Sequence, residues 1–581
     1  MVSNRVVALR TLNYFRSTHL PSYVALRILL ESTAESRFDE ILSALIDQAT
    51  LRKASRTIHL KRYKATEGSQ HVYRDYFVPS PSEALADSFA LAALHSSGVL
   101  EGKADVYSYR PPPSDDYGRN FEYFASGYRQ RNIEVAARLK ATGGVAVVAD
   151  LKSCYPSISG HRALGLLLKG LEGSSAPKRS VAVVQASAER ALVRDEGGDG
   201  GLRVGAELSH ALANVYLAKL DERMRTQFPG SYFRYVDDTV LVVEPSHVGA
   251  ALSTMDEVLE GLGLKRNADK DAVAGADEWG LFSQVGKAGL SGGDCLANLK
   301  FRLKLFLARN PECFEELSGR LESSGIHLPL KQLRQGAFDR HWRDRVAEFF
   351  RQGWKVALRY RLDTIHDVVD AALACRAEIL HLLQVDLERG ISGDLSSVAR
   401  RWRIQSARFS INRALYFADD SVLGDIARFS GTIPELAETH AVSKALVGNF
   451  GQLVFTPGPA VAATAQLMSL RGLKPPPEVG GLSLLAGDVI SSDLEAHFAL
   501  RGLGSFDVDA GARSDDLRGL ISFSRRDNAG VFGNRLGYGA EVSALARGHS
   551  FERFADIAST RFYSREDVVL DALSLSSAYM S

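Results

Sequence analysis

The chain has 581 residues, 45% hydrophobic and 24% charged, with a formal net charge of +1 and a pI of about 7.7; this builds a core, excludes disordered and fibrous classes, and suggests two to four domains of roughly 150 residues each. A near-neutral total neither demands nor forbids a nucleic-acid partner. Four cysteines without a CxxC (Cys154, Cys295, Cys313, Cys375) exclude a zinc ribbon and a disulfide scaffold, and no leader-like start or run of 18 apolar residues is present, so the expectation is a cytoplasmic protein with no membrane partner.

Residues 1–60 carry apolar positions at helical spacing around Tyr23–Leu30 and Ile41–Leu51. Residues 71–120 are rich in turn formers. VPSPSEAL predicts a turn into a helix capped at Ser82, and Arg110–Asn120 must be a loop. GVAVVA (144–149) is long enough for a buried strand and too short for a helix. EGGDGG (196–201) marks a turn. Residues 206–221 put Leu208, Leu212, Val215, Tyr216 and Leu220 on one helical face. Residues 232–243 predict strand, two-acid turn, strand. From about 340 onward amphipathic helices dominate, for example Thr364–Leu387, Leu395–Phe417 and Pro434–Val447, as in stacked helix pairs. Lys300–Arg361 holds 14 Lys/Arg against seven Asp/Glu, a face suited to phosphate backbone or to plain solvation.

The chemistry concentrates in Tyr235-Val236-Asp237-Asp238. Two adjacent acids at a hairpin tip repel unless a cation relieves them. Asp150 directly follows the 144–149 strand and can face that tip. Carboxylates so placed suit a pair of Mg²⁺ ions, or Mn²⁺ in their place, for phosphoryl transfer.

These segments resemble the right-handed palm of reverse transcriptases, over about 100–275. Asp150–Ile158 is similar to the first palm motif, Gly201-Leu-Arg-Val-Gly205 and the following helix to the second, Tyr235–Asp238 to YxDD, and Asn267-Ala-Asp-Lys270 to LNxxK. The resemblance implies an α/β (α+β) palm with fingers over 1–275, a thumb-like region over 276–340, and an all-α helical-repeat-like domain over 341–581. It implies that Asp150 and Asp237 are the principal metal ligands, that Asp238 assists by charge, and that the carbonyl of Leu151 completes one shell. Tyr155 takes the place of an aromatic gate that favours dNTPs over NTPs. Lys270 lies near the triphosphate as general acid to pyrophosphate. Fingers cations for the phosphates are to be sought in Arg110, Arg129 and Arg131, and sequence does not choose among them. In the glycine-rich turn ending at Gly205, Arg203 and Val204 replace the family's Pro and Gln, which puts template handling in question.

VYSYR, GYRQRN and the long helical tail resemble the abortive-infection and defence-associated bacterial reverse transcriptases. That resemblance implies dNTP substrates, a DNA product, an RNA template, a non-coding RNA or no template at all, homo-oligomers, and in some members priming from a tyrosine. Tyr23, Tyr563 and Tyr579 are candidates only by lying outside the palm. Arg361-x4-His366 and Arg376-x4-His381 match an RxxxxH ribonuclease pattern at about the chance rate, so His366 and His381 read first as polar helix faces. A vestigial scaffold is the alternative from another class. It is disfavoured because all three acids are present. Trp342, Trp354 and Trp402 fit helix packing better than base stacking.

Overall fold

In the computed structural model, the described residues are 3–283, 290–333, 362–473 and 537–559, apart from short stretches at 53, 68–69, 101–103, 114–117, 194–199, 332, 392–396, 450–457 and 547. The EGGDGG segment lies mostly outside them, as do Trp342, Trp354, Arg361, Tyr563 and Tyr579.

The described chain is mostly helical with two small antiparallel sheets, a mixed α/β fold. It opens with helices α1 (Asn4–Thr18), α2 (Leu20–Ser32) and α3 (Phe38–Leu51). A two-stranded ribbon follows, β1 (Ile58–Glu67) and β2 (Gln70–Val78). The ribbon was not foreseen, because its strands alternate charged and apolar residues with no continuous apolar run. Helix α4 (Pro81–Ser96) starts one turn signal earlier than expected. Ser80 rather than Ser82 is its cap, its backbone N–H donating to the Glu83 carboxylate at 3.2 Å in a capping box.

The second sheet has strand order β4 (Tyr232–Tyr235), β5 (Asp238–Val243), β3 (Val145–Asp150), β6 (Ala272–Ala274). Strand β3 is central and buried on both faces, which is why its sequence is continuously apolar. Val147 and Ala149 face one core, shared with Leu217 and Leu220 of α9 (Glu207–Gln227) and Met255 of α10 (Val248–Gly261). Ala146 and Val148 face a second core with Val135 and Leu139 of α5 (Phe124–Thr142) and Trp279 of α11 (Ala276–Ser283). The expected strand, helix and acid-tipped hairpin are all found, with Leu208, Leu212, Tyr216 and Leu220 buried on α9.

Beyond them, α12 (Leu290–Arg309), α13 (Phe314–Ser323), α14 (Ile365–Arg389), α15 (Ser397–Ala414), α16 (Asp420–Gly431), α17 (Ala437–Leu446) and α18 (Gly458–Leu470) share a separate apolar core. Thr364 caps α14, its hydroxyl accepting from the Asp367 backbone N–H. Two further helices, α19 (Tyr538–Ala546) and α20 (Phe551–Ser559), return to pack on α2, and Tyr538, Val542 and Phe554 enter the first core. Among the described residues the four cysteines form no disulfide, and no helix is long and apolar enough to cross a membrane.

Candidate active site

Strands β3 and β5 pair antiparallel with Asp150 opposite Asp238, and Asp237 follows Val236 in the turn between β4 and β5. The register therefore brings the three predicted acids to one end of the sheet. The Leu151 N–H donates to the Asp237 carbonyl at 3.2 Å, tying the two acid-bearing segments together. The Asn267 N–H donates to the Asp150 carbonyl at 2.7 Å, and Lys270 Nζ reaches Asp150 Oδ2 at 2.8 Å. The segment carrying Lys270 thus lies against Asp150.

The electrostatics match the geometry. Burial, then the charges of Asp238 and Asp150, push the Asp237 carboxyl up to about 7. Asp238 is raised by burial and opposed by Arg131 and Arg401. Among the described residues no three His, Cys, Asp or Glu side chains stand gathered at metal-ligand spacing. Lys270 takes up one oxygen of Asp150. The donor set is nonetheless all hard oxygen and triply acidic, which suits Mg²⁺.

The three candidate arginines divide. Arg131 is 2% exposed; its Nη1 stands 3.9 Å from Asp238 Oδ2, and its guanidinium lies over the Tyr128 ring. Arg129 is exposed on α5. Arg110 donates to the carbonyls of Val106 and Ala104 and to Gln130, so its fork is engaged within the protein.

Tyr155 is held on several sides. Its hydroxyl lies 2.5 Å from His210 Nδ1 and 3.4 Å from the Tyr109 hydroxyl. His210 stacks on Tyr109 at 4.0 Å, with 8° between the planes. Burial lowers His210 to about 3, so it is a neutral partner at any ordinary pH. The Tyr155 carbonyl accepts from the Leu202 N–H at 2.9 Å, which joins it to the glycine-rich turn. Gly205 closes that turn at φ +111°, where an added Cβ would meet the Phe77 carbonyl at 2.5 Å. Val204 accepts from the Phe77 N–H and Arg203 lies over the Phe77 ring. Val204 through its carbonyl and Arg203 through its guanidinium thus contact the ribbon.

A clamp behind the hairpin turn was missed from sequence. Val236 sits at φ 56°, a costly conformation for a β-branched residue. Its N–H donates to Ser108 Oγ at 2.8 Å and its carbonyl accepts from Arg234 Nη1 at 2.9 Å. Arg234 is itself fixed by two bonds to Asp221, 2.6 and 2.8 Å, and both side chains are 1% exposed. The Tyr232 hydroxyl donates to the same carboxylate at 2.7 Å. The non-glycine residues at positive φ among the described residues are Tyr109, Ser153 and Val236, all beside the acids. Strained backbone concentrates where a fold holds a working geometry. The available signal was Asp221 continuing the apolar stripe of α9.

Other expectations resolve plainly. Tyr23 is 2% exposed, its hydroxyl accepting from Arg27 at 3.2 Å, so it is a core residue. Arg376 donates to the carbonyls of Phe417 and Ser324, which ties helices together. His366 and His381 are exposed on α14, His366 beside Arg320. Trp402 packs against the core behind the sheet.

No protein-family model matches the chain. It is similar to the retron Mx162 reverse transcriptase of Myxococcus xanthus, 29% identical over 167 residues, which are 25% of this chain and 34% of that protein. The chain therefore matches about a third of the length of that relative.

Proposed function

We propose that the protein is a nucleotidyltransferase of reverse-transcriptase type, a DNA polymerase that adds dNTPs at the Asp150–Asp237–Asp238 cluster. The observation that carries this reading is the register of β3 against β5, which sets Asp150 opposite Asp238 with Asp237 in the adjoining turn. The similarity to a retron reverse transcriptase supports it independently.

In this reading the sheet and its flanking helices form the palm, and Asp150, Asp237 and the Leu151 carbonyl hold Mg²⁺ with help from Asp238. The ions would activate the attacking hydroxyl and stabilise the leaving pyrophosphate. Lys270, which bonds Asp150, would be the residue that supplies a proton to pyrophosphate. Arg131, 3.9 Å from Asp238, opposes the rise that burial imposes on that acid. Tyr155 excludes a ribose 2′-hydroxyl. A role in phage defence, homo-oligomer formation, and priming from a protein tyrosine or on a dedicated RNA belong to the same proposal through the subgroup resemblance.

The test uses purified protein with Mg²⁺ and each labelled dNTP, without nucleic acid, on a denaturing gel beside Asp237→Ala. Label that remains covalently on the wild-type chain indicates protein priming. Incorporation only after RNA is supplied indicates templated synthesis. No incorporation under either condition refutes the proposal.

A further inference from the structure

We propose that Arg401, carried by α15 in the helical half, is a binding residue for the polyphosphate of the incoming nucleotide, so that both halves of the chain build one active site. The inference rests on the reading of the acid cluster given above. It starts from how α15 is seated. The helix packs on α11 and β6, with Trp402 against the apolar cluster of Phe233, Val240, Ala272 and Trp279 behind the sheet. That anchor places the preceding residue at the acid-bearing end. Arg401 Nη2 donates to the main-chain carbonyl of Lys270 at 3.2 Å, 131 residues away in sequence. Lys270 in turn touches Asp150.

The other arginines of α15 are engaged by Glu435 or lie over a ring of their own helix. Arg400 forks onto Glu435 at 3.0 Å, Arg408 donates to the Glu435 carbonyl, Arg403 lies over the Trp402 ring, and Arg413 lies over Phe409. Arg401 differs. Among the described residues no carboxylate stands within 4.0 Å of it, and one carbonyl leaves most of its five donors available. A planar fork beside an acid cluster suits a phosphate better than a point charge does.

The charges agree. Once all three acids are ionised, Lys270, Arg131 and Arg401 balance them in formal charge. Two divalent ions would leave a surplus of about four positive charges, about what a nucleoside triphosphate brings.

The test compares wild type with Arg401→Gln, which keeps a donor for the Lys270 carbonyl and removes the charge, and with Arg401→Lys. Equilibrium binding is measured for a non-hydrolysable α,β-methylene analogue of dATP, for deoxyadenosine and for a short DNA oligonucleotide. Incorporation kinetics are measured in parallel. The expected result is roughly tenfold weaker analogue binding and a matching rise in KM for dNTP in Arg401→Gln, with kcat, deoxyadenosine and oligonucleotide binding little changed. Arg401→Lys should fall between the two. Unchanged analogue binding overturns the proposal. So does an equal loss for deoxyadenosine, which marks a structural brace, or a loss confined to the oligonucleotide, which marks a product-backbone contact. Asp237→Ala separates the two levels. If it leaves incorporation intact, the reading of the acid cluster fails. If it abolishes incorporation while Arg401→Gln binds the analogue as wild type, only the present inference fails.

Discussion

Replacing Arg234 with Ala should damage both the fold and the acid-bearing turn, and a second replacement should separate the two effects. Arg234 and Asp221 are each 1% exposed and bonded twice to one another. Removing the guanidinium strands a carboxylate in the core with the Tyr232 hydroxyl as its remaining bonded side-chain donor. Breaking a buried pair in this way costs about 3–5 kcal/mol. Replacing both partners with apolar residues of similar size removes the stranded charge. Asp221→Leu with Arg234→Met should therefore recover most of that loss, leaving about 1–2 kcal/mol for the unpaired Tyr232 hydroxyl and Val236 carbonyl. The turn does not recover, because the Val236 carbonyl has lost its donor while Val236 still sits at φ 56°. Asp237 is the next residue. Urea denaturation followed by circular dichroism reads the stability, and Mg²⁺-dependent dNTP incorporation reads the turn. The double variant should be folded at 25 °C and at least tenfold slower than wild type. A change below about 1 kcal/mol in Arg234→Ala, or wild-type turnover in the double variant, would refute the clamp.

Two further outcomes follow from the site. Asp237 has its carboxyl pushed up to about 7, above an unfolded value near 3.9, so the folded state keeps a proton that the unfolded state releases. Stability without divalent cations should fall as pH rises from about 4 to 7 and stay low above that, by on the order of 2 kcal/mol after allowing for partial exposure. Asp237→Asn should flatten this loss in thermal melts while abolishing incorporation; equal pH slopes in the two proteins would contradict the cause assigned. At the proposed gate, Tyr155→Phe and His210→Ala should each lower the dNTP-over-NTP ratio of kcat/KM several-fold, since each releases a ring whose hydroxyl is now fixed 2.5 Å from His210 Nδ1. An unchanged ratio in both would show that Tyr155 does not select the sugar.

What was legible in the sequence had a local cause. The run at 144–149 is buried on both faces and so is apolar throughout, the α9 stripe repeats at helical spacing, and the adjacent acids interrupt two apolar strands. The clamp was not legible because Ser108, Asp221 and Arg234 converge only through the fold. Nor was the ribbon, whose strands lack an apolar run, or the return of Tyr538–Ala546 onto α2 across more than 500 residues. Among the arginines, composition marked Arg110, Arg129 and Arg131 alike, and three-dimensional proximity alone sets Arg131 beside Asp238.

The central claim is that one carboxylate cluster performs nucleotide addition. Its most direct test is the rate of Mg²⁺-dependent dNTP incorporation by folded Asp150→Asn, Asp237→Asn and Asp238→Asn variants. The account predicts losses of roughly a thousandfold or more for Asp150 and Asp237, with a smaller loss for Asp238, all without loss of the folded state. Incorporation that persists in Asp150→Asn or Asp237→Asn, or that is absent from the wild-type protein with every primer and template supplied, would contradict it.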